Sequence, residues 1–197
     1  MKSKLLAPIY MSMETLIIFI VALGLAMDCF SLGIVNSTVS GEVKPGIPLQ
    51  TSLVFALFHF LLMMAGYWLS GLLRHIFIGM EAWAAFVVFT VIGLKMLREA
   101  MKRKPEAKVV DINNFPVVLI LALAASMDAL LAGIAFGLVN ARILLAAFLV
   151  AFSTFLFTFS GLAAGQNFGL AFAKKTTIFG GVFMFIVAFH YLMRMFV

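Results

Sequence analysis

VALGLAMDCFSLGI, Val21 to Ile34, and LALAASMDALLAGI, Leu121 to Ile134, repeat one pattern at a constant offset of one hundred residues. Ala22, Leu23, Met27, Asp28, Gly33 and Ile34 recur as Ala122, Leu123, Met127, Asp128, Gly133 and Ile134. The apolar run that follows each also aligns, at an offset of ninety-five, with His59, Met63, Gly66 and Ser70 over Thr154, Thr158, Gly161 and Gly165. The third runs share little beyond apolarity, but they complete two units of three. The repeats are read as 14–100 and 113–197, joined by a basic cytoplasmic linker at 101–112, with one membrane domain overall.

The runs are long enough to cross a bilayer. A spanning helix needs roughly 20 mostly apolar residues, and six stretches qualify: Leu16 to Val35, Gln50 to Leu69, Ile76 to Leu94, Phe115 to Val139, Ile143 to Ala164 and Ile178 to Met193. With 64% apolar and 11% charged residues, the chain is far from the composition of a soluble domain. The expected fold is therefore an all-α polytopic membrane protein with six transmembrane helices. An odd number of helices per unit forces the second unit to be inverted, and inverted repeats recur in secondary transporters, where substrate binds near the midplane.

The net charge of +6 comes from cations in loops beside apolar spans, with no aromatic-interleaved patch, so nucleic acid is not an expected partner. Read as topology signals, five Lys and Arg lie on the N-terminal side and nine on the other, including the Arg98 to Lys108 loop. The positive-inside rule then puts both termini outside the cytoplasm. Met11 and Met13 allow Met1 to Tyr10 to be an upstream extension. The first apolar run is read as a true span, not a cleaved signal, because it is long and belongs to the repeat. The lone cysteine, Cys29, excludes an intrachain disulfide. There is no phosphate-binding Gly-rich loop, cysteine spacing for zinc, or nucleophile with a base, so no enzyme and no cofactor is expected.

Asp28 and Asp128 fall near the middle of their spans, where a carboxylate costs about 2.5–3.5 kcal/mol on insertion scales. The central parts of the spans hold no Lys or Arg; Lys95 and Arg194 fall near span ends and can snorkel outward. The compensating charge is therefore expected to be a transported cation. The alternative is two protonated acids acting as interhelical glue. Small residues within a turn of the aspartates, among them Gly24, Ser31, Ala124 and Ala132, turn that face toward protein.

Beside the aspartates, Met27 and Met127 offer thioethers that favour a transition metal, or simply fill core space. Gly33 and Gly133 either interrupt their helices, freeing carbonyls, or permit tight packing. Thr154, Thr158, Gly161 and Gly165 share one helix face, which lines an ion path or forms a packing seam. His59, at the position matching Thr154, is a candidate metal ligand or proton acceptor, with a hydrogen-bonded structural histidine as the alternative. Asn36 and Asn140 are read as helix-terminal residues, and Trp83 and Tyr191 as interfacial anchors.

AMDCFSLGI and SMDALLAGI resemble the paired Met-Asp-Ala motifs of the manganese efflux pump family MntP, within a wider lysine-exporter-like superfamily. The likeness extends over the basic loop and KKTTIFGG, Lys174 to Gly181. It implies manganese export across the bacterial inner membrane, with Asp28 and Asp128 essential. The family pattern expects a glutamate in the second span where His59 stands, and alanine where Cys29 stands. Imidazole suits zinc, iron, nickel or copper at least as well as manganese. The resulting expectation is a divalent metal exporter in which Asp28, Asp128, His59, Met27, Met127, Thr154 and Thr158 form or flank the ion site. Binding displaces protons from the paired acids, which makes protons the expected counter-ion. Export of another transition metal, or of a small cationic metabolite, is the alternative.

Overall fold

The computed structural model describes residues 2–40, 46–101, 112 and 114–195, with side chains omitted at 2–12, 39–40, 166 and 168. The linker assigned to 101–112 lies almost wholly outside the described residues. Six helices follow in order: α1 Lys2–Ser40, α2 Ile47–Leu73, α3 Glu81–Met101, α4 Phe115–Ala125, α5 Met127–Leu138 and α6 Ile143–Met193. Gly169, at φ 69° and ψ 168°, divides α6 into two limbs. Five stretches are long and apolar enough to cross a membrane: Met13–Thr38, Ile47–Leu73, Phe115–Leu138, Ile143–Gly165 and Gly169–Met193. This is a multi-pass membrane protein. The remaining helix, α3, carries Glu81, Lys95, Arg98 and Glu99, and is less apolar for that reason.

Large apolar side chains face outward, as expected of a protein whose solvent is hydrocarbon: Trp68 is 76% exposed and Ile120 70%. Small ones face inward, with Ala22, Ala26, Ala122, Ala129, Ala132, Ala146 and Ala147 fully buried. In lipid, helices gain little by hiding oily surface from one another, so close packing of small residues takes over. Helix α1 packs mainly against α6, α2 against α5 and α6, and α3 against α6 and α5.

Two crossings set the centre of the bundle. Helix α1 meets the first limb of α6 where a Cβ on Gly161 would fall 2.6 Å from the Phe30 carbonyl oxygen and one on Gly33 3.1 Å from the Gly161 backbone. Helix α5 meets α2 in the same manner, a Cβ on Gly66 striking the Leu130 carbonyl and one on Gly133 the Met63 carbonyl. These positions need glycine for backbone-to-backbone approach. Neither Gly33 nor Gly133 interrupts its helix.

The interruption in the fourth span falls instead at Ser126, between α4 and α5, with φ −81° and ψ −2°. Its hydroxyl donates to the Ala122 carbonyl at 2.7 Å, the kind of side-chain bond to the preceding turn that bends helices. Ala26, the matching residue of the first half, lies in unbroken helix.

Four further expectations are corrected. The third span starts at Glu81 rather than Ile76. Residues 74–80 form turns that include Gly79 at φ 78°, and Glu81 then occupies the first helical turn, where the dipole favours an acid. The sixth begins at Gly169, so the exposed Lys174 and Lys175 lie on helix rather than in a loop. Asn36 sits inside α1, donating to the Leu32 carbonyl at 2.9 Å; Asn140, with φ 54°, does lie beyond the end of α5. Tyr191 is buried, stacked on Phe89 at 5.7 Å, and so is no interfacial anchor.

Candidate functional site

The seven-residue shift of the third span's C-terminal end, from Leu94 to Met101, changes the electrostatics of the bundle. It moves Lys95 from a helix end into the body of α3, where its ammonium donates to both carboxylate oxygens of Asp128 at 2.8 Å. The expectation that no internal cation faces the aspartates is therefore wrong for Asp128. Asp128 is almost fully buried, while the Lys95 side chain is 40% exposed. A bidentate, charge-assisted contact of this kind holds the carboxylate in one orientation.

Asp28 is handled differently. It is partly exposed and, among the described residues, joins no salt bridge. It nevertheless lies in the field of Asp128, Glu99 and Lys95, and Lys95 in the field of Asp28, Asp128 and Glu99. Asp28 and Asp128 thus act on the same ammonium, which donates to Asp128.

His59 joins the two aspartate motifs. It is buried in α2, with Nδ1 2.9 Å from the Phe55 carbonyl and 2.8 Å from Ser126 Oγ, and Nε2 3.5 Å from Cys29 Sγ. Cys29 follows Asp28 and Ser126 precedes Met127 and Asp128, so one imidazole touches both halves of the repeat.

Thr154 and Thr158 are buried on the first limb of α6; among the described residues the Thr154 hydroxyl has no hydrogen-bond partner, and that of Thr158 lies within hydrogen-bonding reach of the Cys29 thiol. Their i, i+4 spacing puts them on the face that also carries Gly161 and Gly165, which pack on α1. Thr158 and Cys29 line a cavity of about 10 Å³, together with Asn36 and Thr51, room for about one water-sized guest.

The methionines do not converge with the aspartates. Met127 is 48% exposed, because adjacent positions on a helix point about 100° apart. Met27 lies against Gly180 in the second limb of α6, 3.3 Å from where a Cβ would stand. Among the described residues, no three His, Cys, Asp or Glu side chains are gathered tightly enough to hold a metal ion.

Sequence reasoning missed Lys95, Glu99 and Ser126. Glu81, an acid just after the glycine turn, is the signal that would have shifted the third span toward its C-terminus. The serine replacing Ala26 in the repeat marked the break.

The family model described as "Mntp: Putative manganese efflux pump" matches residues 42–192. A protein of Crocosphaera subtropica named "Putative manganese efflux pump MntP" is 34% identical over 176 residues, 89% of this chain and 93% of that one. Proteins of the same name from Methanosphaera stadtmanae and Desulfitobacterium hafniense are each 31% identical, covering 89% and 93% of this chain and 97% of their own lengths. No solved structure matches. The family model begins after the first aspartate motif and takes in Asp128, while the relatives align over most of the chain and are transporters rather than enzymes: the chain belongs to the MntP manganese efflux pump family.

Proposed function

We propose that this protein exports a divalent cation, manganese, across the bacterial inner membrane, with Asp28 and Asp128 neutralising the ion between two inverted three-helix repeats. The observation that carries this reading is the charge cluster. Inside a bundle of apolar spans, two aspartates at matched positions meet one lysine, and that lysine is taken up on both oxygens of Asp128, which leaves the Asp28 carboxylate for a cation. Carboxylate oxygens suit manganese.

The exchange of contacts between halves supports the repeat and the sixth span. Spans one and five meet at Phe30, Gly33 and Gly161; spans four and two meet at Leu130, Gly133 and Gly66. The first set becomes the second under the offsets of one hundred and ninety-five. Farther along, Ser37 against Gly165 corresponds to Gly137 against Ser70. A two-fold axis in the membrane plane produces this swap. The axis maps α3 onto the second limb of α6, which makes α3 the sixth span despite its charges, and Gly93 and Gly181 face each other's carbonyls across it.

Lys95 acts as a built-in counter-ion. It holds Asp128 when no metal is present, which avoids an unpaired charge in hydrocarbon, and it releases the carboxylate when the ion arrives at Asp28. His59, Thr154 and Thr158 line the path between the stations. Met27 and Met127 serve as packing. The inside-negative potential opposes cation efflux by about 2.3 kcal/mol per charge per 100 mV, so a second gradient must drive it, and protons exchanging on the same carboxylates supply one. The excess of basic residues in the odd-numbered loops, above all Arg98 to Lys108, favours both termini outside.

Everted vesicles test this. Wild-type vesicles should accumulate manganese when a proton gradient is imposed and stop when an uncoupler collapses it. Asp28→Asn and Asp128→Asn should each abolish accumulation while still inserting in the membrane. Normal transport by both variants would refute the assignment.

A further inference from the structure

Cys29 and His59 belong to neither aspartate station, yet their arrangement is that of a metal half-site. The Phe55 carbonyl can only accept, so the proton of the neutral imidazole lies on Nδ1, 2.9 Å from it. Ser126 Oγ, whose own proton goes to the Ala122 carbonyl, is a second acceptor at 2.8 Å. This leaves a bare Nε2 lone pair directed at Cys29 Sγ. A ring held by Nδ1–H on a backbone carbonyl is the outer-shell pattern that orients histidines for metal binding.

The separation fits as well. A tetrahedral ion with a thiolate at about 2.3 Å and an imidazole nitrogen at about 2.0–2.1 Å holds these ligands about 3.5 Å apart; Sγ and Nε2 stand 3.5 Å apart. Beside them, the Thr158 hydroxyl is 1% exposed, lies within hydrogen-bonding reach of the Cys29 thiol, and lines the same cavity as Cys29. The rest of the cavity surface is apolar, and its volume of about 10 Å³ has room for a water as a further ligand.

We infer that Cys29 Sγ and His59 Nε2, with Thr158 Oγ1 and a water, form a binding site for a borderline-soft divalent ion of the zinc and cobalt kind. On binding, the S–H bond is exchanged for an S–metal bond and the proton leaves to solvent. Thiolate and imidazole ligation ranks zinc and cobalt well above manganese. The binding site stands independently of export; only its role as a station for a softer substrate rests on the function proposed above.

The test is a Co²⁺ titration of the purified full chain in detergent. Cys29 is the chain's single cysteine, so any thiolate-to-cobalt charge-transfer band reports this site, and the wild type alone suffices to see it. The band should saturate at one cobalt per chain, yield to equimolar Zn²⁺ but not to Mn²⁺, and require at least about tenfold more cobalt in His59→Phe. Thr158→Val should weaken it less. No band from folded protein, or an unchanged titration in His59→Phe, overturns the inference. Manganese uptake measured in parallel separates the two claims: export without the band removes the soft-metal site alone, and the band without export removes the proposed function alone.

Discussion

Asp28 and Asp128 occupy matched positions in the two halves, but their surroundings differ. Asp28 rides on the unbroken α1, partly exposed and, among the described residues, without a salt bridge. Asp128 lies just past the break at Ser126, buried and clamped on both oxygens by Lys95. The repeat supplies two equivalent carboxylates, and one lysine makes them inequivalent. In the proposed function, one station is open to an arriving cation while the other is held shut by an internal one, which avoids the cost of two unpaired charges between cycles.

The sharpest way to break the comparison is to remove either acid. Asp28→Asn and Asp128→Asn should each lower manganese uptake by well over tenfold, at least about 1.4 kcal/mol of barrier, but only Asp128→Asn should leave Lys95 without its partner. Equal thermal stability of the two variants in detergent would argue against the clamp. Next in size is Lys95→Met, which strands a buried carboxylate. Breaking a buried pair costs about 3–5 kcal/mol, and the 40% exposure of Lys95 places the expected loss at or below the low end, about 3 kcal/mol or less. Adding Asp128→Asn to Lys95→Met should restore most of that stability, and a double mutant no more stable than Lys95→Met would show that the two residues do not act as a pair.

The glycine crossings test the symmetry rather than the asymmetry. Gly133→Ala and Gly161→Ala each push a Cβ onto a carbonyl of the facing helix. Both should destabilise by about 1–3 kcal/mol. Gly71→Ala, with open space around its Cβ, should stabilise by up to about 1 kcal/mol from helix propensity. Similar melting shifts for all three would undo the claim that the crossings are backbone contacts. Smallest in stability is Thr154→Val. Its hydroxyl is buried without a partner, so replacing it should change stability by less than about 1 kcal/mol. Reduced uptake at unchanged stability would put Thr154 on the ion path, and unchanged uptake would make it a seam.

Much of this was legible in the chain. A duplicated Met-Asp, matched glycines and long apolar runs need no tertiary information, because a bilayer selects for length and apolarity and because gene duplication preserves register. The site was less legible. Apolarity does not distinguish residues 76–80, which turn, from 95–101, which are helical, so the third span was placed too early and Lys95 was read as a helix-end cation. Met127 illustrates a second limit: adjacency to Asp128 in sequence says nothing about shared direction on a helix.

The sequence by itself determined the membrane class, the family and the matched positions of the two aspartates and of the glycines, since each depends on composition or on a repeated letter. Only the tertiary structure decided which groups meet: Lys95 with Asp128, and His59 with both Cys29 and Ser126. Those meetings depend on the rotational phase of each helix and on how closely glycine and alanine let the backbones approach, and a shift of a few residues in either is invisible to hydropathy.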